Sequence, residues 1–237
     1  KISLKKATDI FSNEERYDVI KRNLPSIKNI ERIDHHTCHA YYAAYGAPID
    51  NNKLQDSLIL TADAWGDEQN WTANILNKNG TLKKISGGTG NTLARIYKFC
   101  TLILGMKPNE HEYKVMGLSG YSKSRKHIEH TENIFFEILD FKNGQFISAN
   151  PLIDSYYDLK KRLEGHRFDN IAAALQNWTS IITNKWVTYW LKETNKKGLC
   201  FSGGLSMNIK ANGDLKENSL VNWLSIPPSG GDESLSA

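Results

Sequence analysis

Residues 57–62 (Ser-Leu-Ile-Leu-Thr-Ala) lack the apolar–polar alternation of a half-exposed strand. A run this short and this apolar is expected to be a strand buried on both faces, with helices covering its sheet on either side. Residues 199–202 (Leu-Cys-Phe-Ser) have the same character and lead directly into Gly203-Gly204. Between the two runs, Asn79-Gly80 separates strand-like 71–76 from 81–85 and predicts a hairpin. Helical patterns occupy 9–24, 40–45, 92–104, 113–118, 130–139 and 169–194, the last being the longest and closed by Gly198. Brief strands are expected at 30–33, 145–148 and 221–226, a polar loop at 50–56 and a helix start at 207–213. The fold class is α/β, with a mixed sheet flanked by helices.

Composition narrows the functional classes. The chain has 237 residues, enough for one large domain or two small ones, with 30 Lys and Arg against 26 Asp and Glu. That small, dispersed excess suits an anionic small ligand and argues against nucleic acid as a partner. No apolar run approaches the ~20 residues that span a bilayer, and no signal-peptide pattern opens the sequence. Cys38, Cys100 and Cys200 form no disulfide framework, so a reducing, cytoplasmic setting is expected. Cys100 and Cys200 read as small core residues. Cys38 lies within a histidine cluster and reads as a packed thiol pointing away from it.

Five constellations carry chemistry. His35 and His39 are four residues apart, which on a helix puts both rings on one face, where they could hold a divalent metal. His36 points elsewhere and reads as structural. Asp63 closes the apolar strand, where α/β sheets present ligand-binding groups, although a turn-forming role ahead of Gly66 is also open. Asp67 and Glu68 read as solvated turn residues. Gly203-Gly204 leads from strand to helix, so backbone N–H groups there could approach a phosphate, and Asn208 and Asn212 could bond a nucleotide. Asp232 follows Gly230-Gly231 in a turn that could face a metal or a phosphate, or simply solvent. Lys114, in Glu112-Tyr113-Lys114, could pair with a phosphate or anchor a helix start.

Taken in order, these segments resemble the NodU/CmcH carbamoyltransferase family. His35-His36-Thr37-Cys38-His39-Ala40, with Tyr45 and Pro48, resembles its HHxxHAxxAxxxSP motif. Thr61-Ala62-Asp63-Ala64-Trp65-Gly66 is similar to its T-x-D-G-x-G strand end, and residues 112–118 match EYKVMGL without a change. Ser202-Gly203-Gly204-Leu205-Ser206-Met207-Asn208 with Ala211-Asn212-Gly213, and Pro227-Pro228 with Gly231-Asp232, resemble its remaining segments.

The resemblance implies an actin-like ATPase (RNase-H-like) fold of two halves, related to the tRNA threonylcarbamoyl transferases. Residues 1–56 would be the remnant of an incomplete first half, and residues 57–237 the second half, with the nucleotide and metal site. The metal, commonly iron in that family, would be held by His35, His39, Asp63 and Asp232. Gly203, Gly204 and Asn208 would line ATP or carbamoyl-adenylate, with Lys114 a candidate near the reaction. The implied activity moves a carbamoyl group from carbamoyl phosphate, through ATP-dependent carbamoyl-adenylate, to a hydroxyl of a small-molecule or glycan acceptor. The family's opening strand and loop and its YrdC-like domain have no counterpart in these residues, which implies a chain incomplete at both ends. Ala64 and Ser202 stand where the pattern has Gly and Ala. The alternatives are a threonylcarbamoyl transferase-like enzyme and a non-catalytic, nucleotide-binding remnant.

Overall fold

The computed structural model describes residues 13–235. The chain divides between Asp34 and His35 into two compact units. The described part of the first holds helix α1 (Asn13–Asn23). The sequence pattern starts this helix earlier, at residues that lie outside the described ones. Residues 30–33, expected as a strand, are coil. Ile30-Glu31-Arg32-Ile33 alternates only partly, and a strand without ladder partners has no means of satisfying its backbone.

The second unit is a five-stranded sheet, ordered β3-β2-β1-β6-β7, with helices on both faces. Its strands are β1 (Ser57–Gly66), β2 (Gln69–Leu76), β3 (Leu82–Gly88), β6 (Gly198–Ser202) and β7 (Trp223–Ser225). β1, β2 and β3 form an antiparallel meander, and β6 and β7 extend it in parallel on the other side of β1. The sheet is mixed, as the sequence implies. The β2–β3 turn forms at Asn79-Gly80, where Gly80 adopts φ 84° and Asn77 N–H donates to the Thr81 carbonyl at 2.8 Å.

β1 is central and has no wet face along 57–62. Its even positions, Leu58, Leu60 and Ala62, join a core with Trp71, Ala73, Leu199 and Phe201, under helix α8 (Phe168–Thr194). Its odd position Ile59 joins Cys200, Leu76 and Leu54 against Ala40, Ala43 and Ala44 of helix α2 (His35–Tyr45). Strand alternation therefore assigns Ile59, Thr61 and Asp63 to the α2 side. Small alanines on α2 let the helix sit close to the sheet. Helix α3 (Asn51–Gln55), expected as loop, forms because the Asp50 carboxylate caps it, accepting from Asn52 N–H at 2.9 Å and Lys53 N–H at 3.3 Å.

The opposite face carries α4 (Leu93–Ile103), α5 (Glu112–Leu118), α6 (Arg125–Ile138) and the short α7 (Tyr157–Arg162) as well as α8. α8 buries Ile171, Leu175, Trp178, Ile182 and Trp186 along one stripe. It ends not at Gly198 but at Asn195, in the left-handed conformation (φ 51°), with Lys196 N–H returning to the Leu191 carbonyl at 3.2 Å. Gly198 instead opens β6. Asn143-Gly144 is a second hairpin turn, between β4 (Asp140–Lys142) and β5 (Gln145–Ile147). A short 3-10 turn (Gly204–Met207) joins β6 to helix α9 (Ile209–Lys216), and another (Asp232–Ser234) follows β7. Among the described residues, no helix is long and apolar enough to cross a membrane.

Trp178 is fully buried, stacks on Phe135 at 5.3 Å and donates its indole N–H to the Leu139 carbonyl at 2.8 Å. Trp178→Ala removes packing and leaves that carbonyl unpaired, so the unfolding free energy in urea should fall by about 3–5 kcal/mol. Ile153→Ala, at a side chain 97% exposed, should change it by less than about 0.5 kcal/mol.

Candidate metal centre

The first turn of α2 meets the ends of β1 and β6 at the carboxyl edge of the sheet. Asp63 stands two positions beyond Thr61, on the α2 side, and His39 is one helical turn beyond His35 on the face that meets it. His39 Nε2 lies 3.1 Å from Asp63 Oδ2 and 3.4 Å from Asp232 Oδ1. His35 Nε2 lies 3.8 Å from the same Asp63 oxygen and 3.5 Å from Asp232 Oδ1. One ligand atom from each of the four residues falls within 4.8 Å of every other. Nitrogen and oxygen ligands at ~2.1 Å from a common ion are about 3.4 Å apart in a tetrahedron, so this spacing fits a divalent cation. His35 Nε2 is buried without a hydrogen-bond partner, a donor atom directed into the cluster with nothing else to satisfy it. Cys38 does not belong to the group.

Each residue is held by a distinct local device. Gly66 lies against the His35 ring, where any Cβ would collide with it. Asp67 and Glu68 turn the chain from β1 to β2 with φ 45° and 68°. Asp67 is more than a solvated turn residue: its carboxylate accepts from the His35 backbone N–H at 2.9 Å and so fixes the start of α2. His36 is indeed structural. Its Nδ1 meets Thr61 Oγ1 at 2.8 Å, its Nε2 meets the Gln69 carbonyl at 3.2 Å, and burial pushes its pKa down to about 4. Asp63 Oδ1 accepts from Ala64 N–H at 2.5 Å, and Oδ2 accepts from Gly204 N–H at 3.3 Å.

The electrostatics are those of two carboxylates facing two imidazole rings. Burial opposes ionisation of Asp63, but the neighbouring His35 ring and bonds from His39, Ala64 and Gly204 outweigh it and hold the carboxyl well below the ordinary range. The pKa of Asp232, exposed but close to that charge, is pushed upward by desolvation and by Asp63. The pKa of the His35 ring is raised, chiefly by the Asp63 carboxylate beside it, against the effect of burial.

The turn after β6 forms the floor. Gly203 adopts φ 94° with its Cα against the Ala62 backbone, a position closed to any side chain. Gly203 N–H donates to the Gly230 carbonyl at 2.8 Å, which pins the Asp232 loop to the sheet edge. Beside the cluster opens a cleft of ≈ 650 Å³, lined by Asp63, Asp232, Gly204 and Asn208 and walled by Tyr97, Tyr113, Met116 and Met207. Gly204 and Asn208 thus reach the cleft. The Asn208 amide, however, is engaged: it exchanges bonds with Gln176 at 2.9 and 3.0 Å and caps α9 through Ala211 N–H. Tyr97 O–H donates to the same Gln176 at 3.1 Å. Asn212 Nδ2 donates to the Ser206 carbonyl at 2.7 Å. Lys114 is not brought to the cluster. It is exposed, its ammonium 5.8 Å from the Tyr113 ring centroid, while Glu112, Tyr113 and Met116 of the same helix line the cleft.

Asp67, Gln176 and Tyr97 are the residues that sequence reasoning misses. Asp67 sits 32 positions from the backbone group it caps, and Gln176 lies 32 from its partner Asn208, so local spacing carries no trace of either contact. The one available hint is a carboxylate placed just past the strand end that carries Asp63.

Comparison with known proteins bears on this geometry. A family model described as carbamoyltransferase N-terminus matches residues 6–237. Two uncharacterized proteins of Methanocaldococcus jannaschii are 27% identical over 231 residues and 25% identical over 236. Those alignments cover 95% and 92% of this chain but 43% and 38% of the relatives. The nodulation protein NolNO of Sinorhizobium fredii is 25% identical over 208 residues, 86% of this chain and 29% of that protein. The chain spans less than half the length of each of these relatives.

The His35–Asp63 pair makes the metal-free protein pH-sensitive in a defined sense. A histidine raised above its ordinary 6.5 stabilises the fold fully below that pH, and the contribution fades as pH rises through the raised value. Urea unfolding with chelator present, from pH 6 to 9, should show the stability of the wild type declining with pH relative to a His35→Asn variant. The buried, neutral His36 contributes in the opposite sense but equally to both proteins, and the same pH dependence in the two would refute the pairing.

Proposed function

The chain belongs to the carbamoyltransferase N-terminal family, and on that premise we propose that it is the metal- and nucleotide-binding part of an O-carbamoyltransferase of the NodU/CmcH type with an actin-like fold. Within it, residues 1–56 would close a first half and residues 57–237 form the second. The reaction takes carbamoyl phosphate and ATP to carbamoyl-adenylate, with inorganic phosphate and pyrophosphate as the groups released. The acceptor hydroxyl oxygen then bonds to the carbamoyl carbon as the bond from that carbon to the bridging oxygen of the adenylate breaks. AMP leaves with the bonding pair, and the hydroxyl proton passes to a base. The acceptor is a small molecule or glycan.

The observation that carries the reading is the convergence of His35, His39, Asp63 and Asp232 beside a cleft of ligand size. A divalent metal there, iron in this reading, supplies Lewis-acid polarisation and a template for charged oxygens. The chain's own groups do the rest. Asp63, locked by two backbone N–H groups, stays ionised without being free to rotate. Gly203 and Gly204 leave the sheet edge bare of side chains, so a phosphate can come close to the turn. Tyr97, Tyr113, Met116 and Met207 give the cleft apolar walls that thin out water around the reacting groups. Lys114 would contribute only at the rim.

Elemental analysis of anaerobically purified protein should find about one equivalent of divalent metal in the wild type and none in a His35→Ala, His39→Ala double variant. Adenine nucleotide binding by calorimetry should weaken in parallel. A wild-type protein without metal, or a double variant that keeps it, would overturn the assignment.

A further inference from the structure

His39 has two ring nitrogens, and the cluster uses only Nε2. The residue is fully buried, so Nδ1 must find a partner within the protein. The group in reach is the hydroxyl of Ser202, also fully buried, at 3.4 Å. That hydroxyl lies 3.5 Å from the Gly230 carbonyl, the same oxygen that accepts Gly203 N–H at 2.8 Å. Ser202 is the last residue of β6, paired with Thr61, so its side chain falls on the α2 side directly behind His39.

We propose that Ser202 is a positioning residue for the metal centre: its hydroxyl accepts the Nδ1–H of His39 and donates to the Gly230 carbonyl, so that His39 Nε2 offers its lone pair to the ion. This rests on the metal reading above. A neutral imidazole carries one proton, and a nitrogen that binds metal cannot hold it. In the metal-bound form the proton sits on Nδ1, and a buried N–H without an acceptor would disfavour that tautomer. Ser202 removes the penalty. A hydroxyl can donate and accept at once, so the chain His39 Nδ1–H to Ser202 Oγ–H to Gly230 O is complete. The relay has a second consequence. Gly230 is two residues before Asp232, so one hydrogen-bond chain ties a ligand on α2 to the loop after β7 that carries another.

The test compares wild type, Ser202→Ala and Ser202→Thr in the intact chain, with Co²⁺ as probe. Affinity is read by competition with a chromophoric chelator, and the His39 Nδ1 proton by its hyperfine-shifted, solvent-exchangeable resonance. Ser202→Ala should weaken Co²⁺ binding about 10-fold, within the usual range for loss of an outer hydrogen bond, and its Nδ1 proton should exchange too fast to observe. Ser202→Thr keeps the hydroxyl and should restore both. Urea unfolding of the metal-free proteins reads folding separately. Affinity and resonance unchanged in Ser202→Ala would overturn the proposal while leaving the metal assignment standing. So would a loss in Ser202→Ala that Ser202→Thr fails to rescue in a folded protein. A wild type that binds no Co²⁺ would remove the metal reading itself and this inference with it.

Discussion

Burial of β1 on both faces is the constraint from which the site follows. A strand with no wet side must satisfy two surfaces with one alternating sequence. In residues 57–62 the even positions pack under α8 while the odd ones face α2. The alternation does not stop where the hydrophobic run stops. It carries Asp63 onto the α2 side, beneath a helix drawn in by Ala40, Ala43 and Ala44. A carboxylate and two imidazoles are brought together by the same periodicity that fills the core. Slipping the register by one residue would bury Asp63 under α8 and lose both functions together.

The arrangement is costly without a compensating charge. Two carboxylates of like sign share one end of a sheet with two half- or fully buried rings. Asp63 is stabilised as an anion by hydrogen bonds from His39, Ala64 and Gly204, and Asp232 bears the repulsion, its ionisation held back. The stress falls on the more exposed residue of the pair, whose loop is fastened to the sheet edge through Gly203 N–H and the Gly230 carbonyl. A doubly charged ion at the centre would relieve that repulsion and satisfy the open nitrogen of His35 at one stroke.

What was legible in the sequence was mostly what local pattern encodes. The apolar runs 57–62 and 199–202 announce the two central strands, and Asn79-Gly80 announces the hairpin, because each depends on neighbours a few residues away. The HxxxH spacing places His35 and His39 on one face for the same reason. Contacts across the chain leave no such mark. Asp67 caps a helix that precedes it by a whole strand, and Gln176 holds Asn208 from another layer. β4 has only three residues, too few to show a period, and is recognisable only once β5 lies beside it. The alternation of 30–33 misleads because a pattern without a partner strand is not a strand. Lys114 misleads in the other direction. Its motif matches a family without a change, yet its charge faces solvent and its neighbours Tyr113 and Met116 face the cleft.

The four clustered side chains come from the first turn of α2, from the carboxyl end of the central strand, and from the loop after β7. No short stretch of the chain contains the site, and a partly folded molecule with a frayed end would have lost at least one arm of it. An ion seated there would act as a clasp between α2 and the loop after β7, which the sequence holds far apart. Its occupancy would then report on the integrity of the sheet that lies between them, and loosening of either element would register as lost affinity before it registered as lost secondary structure.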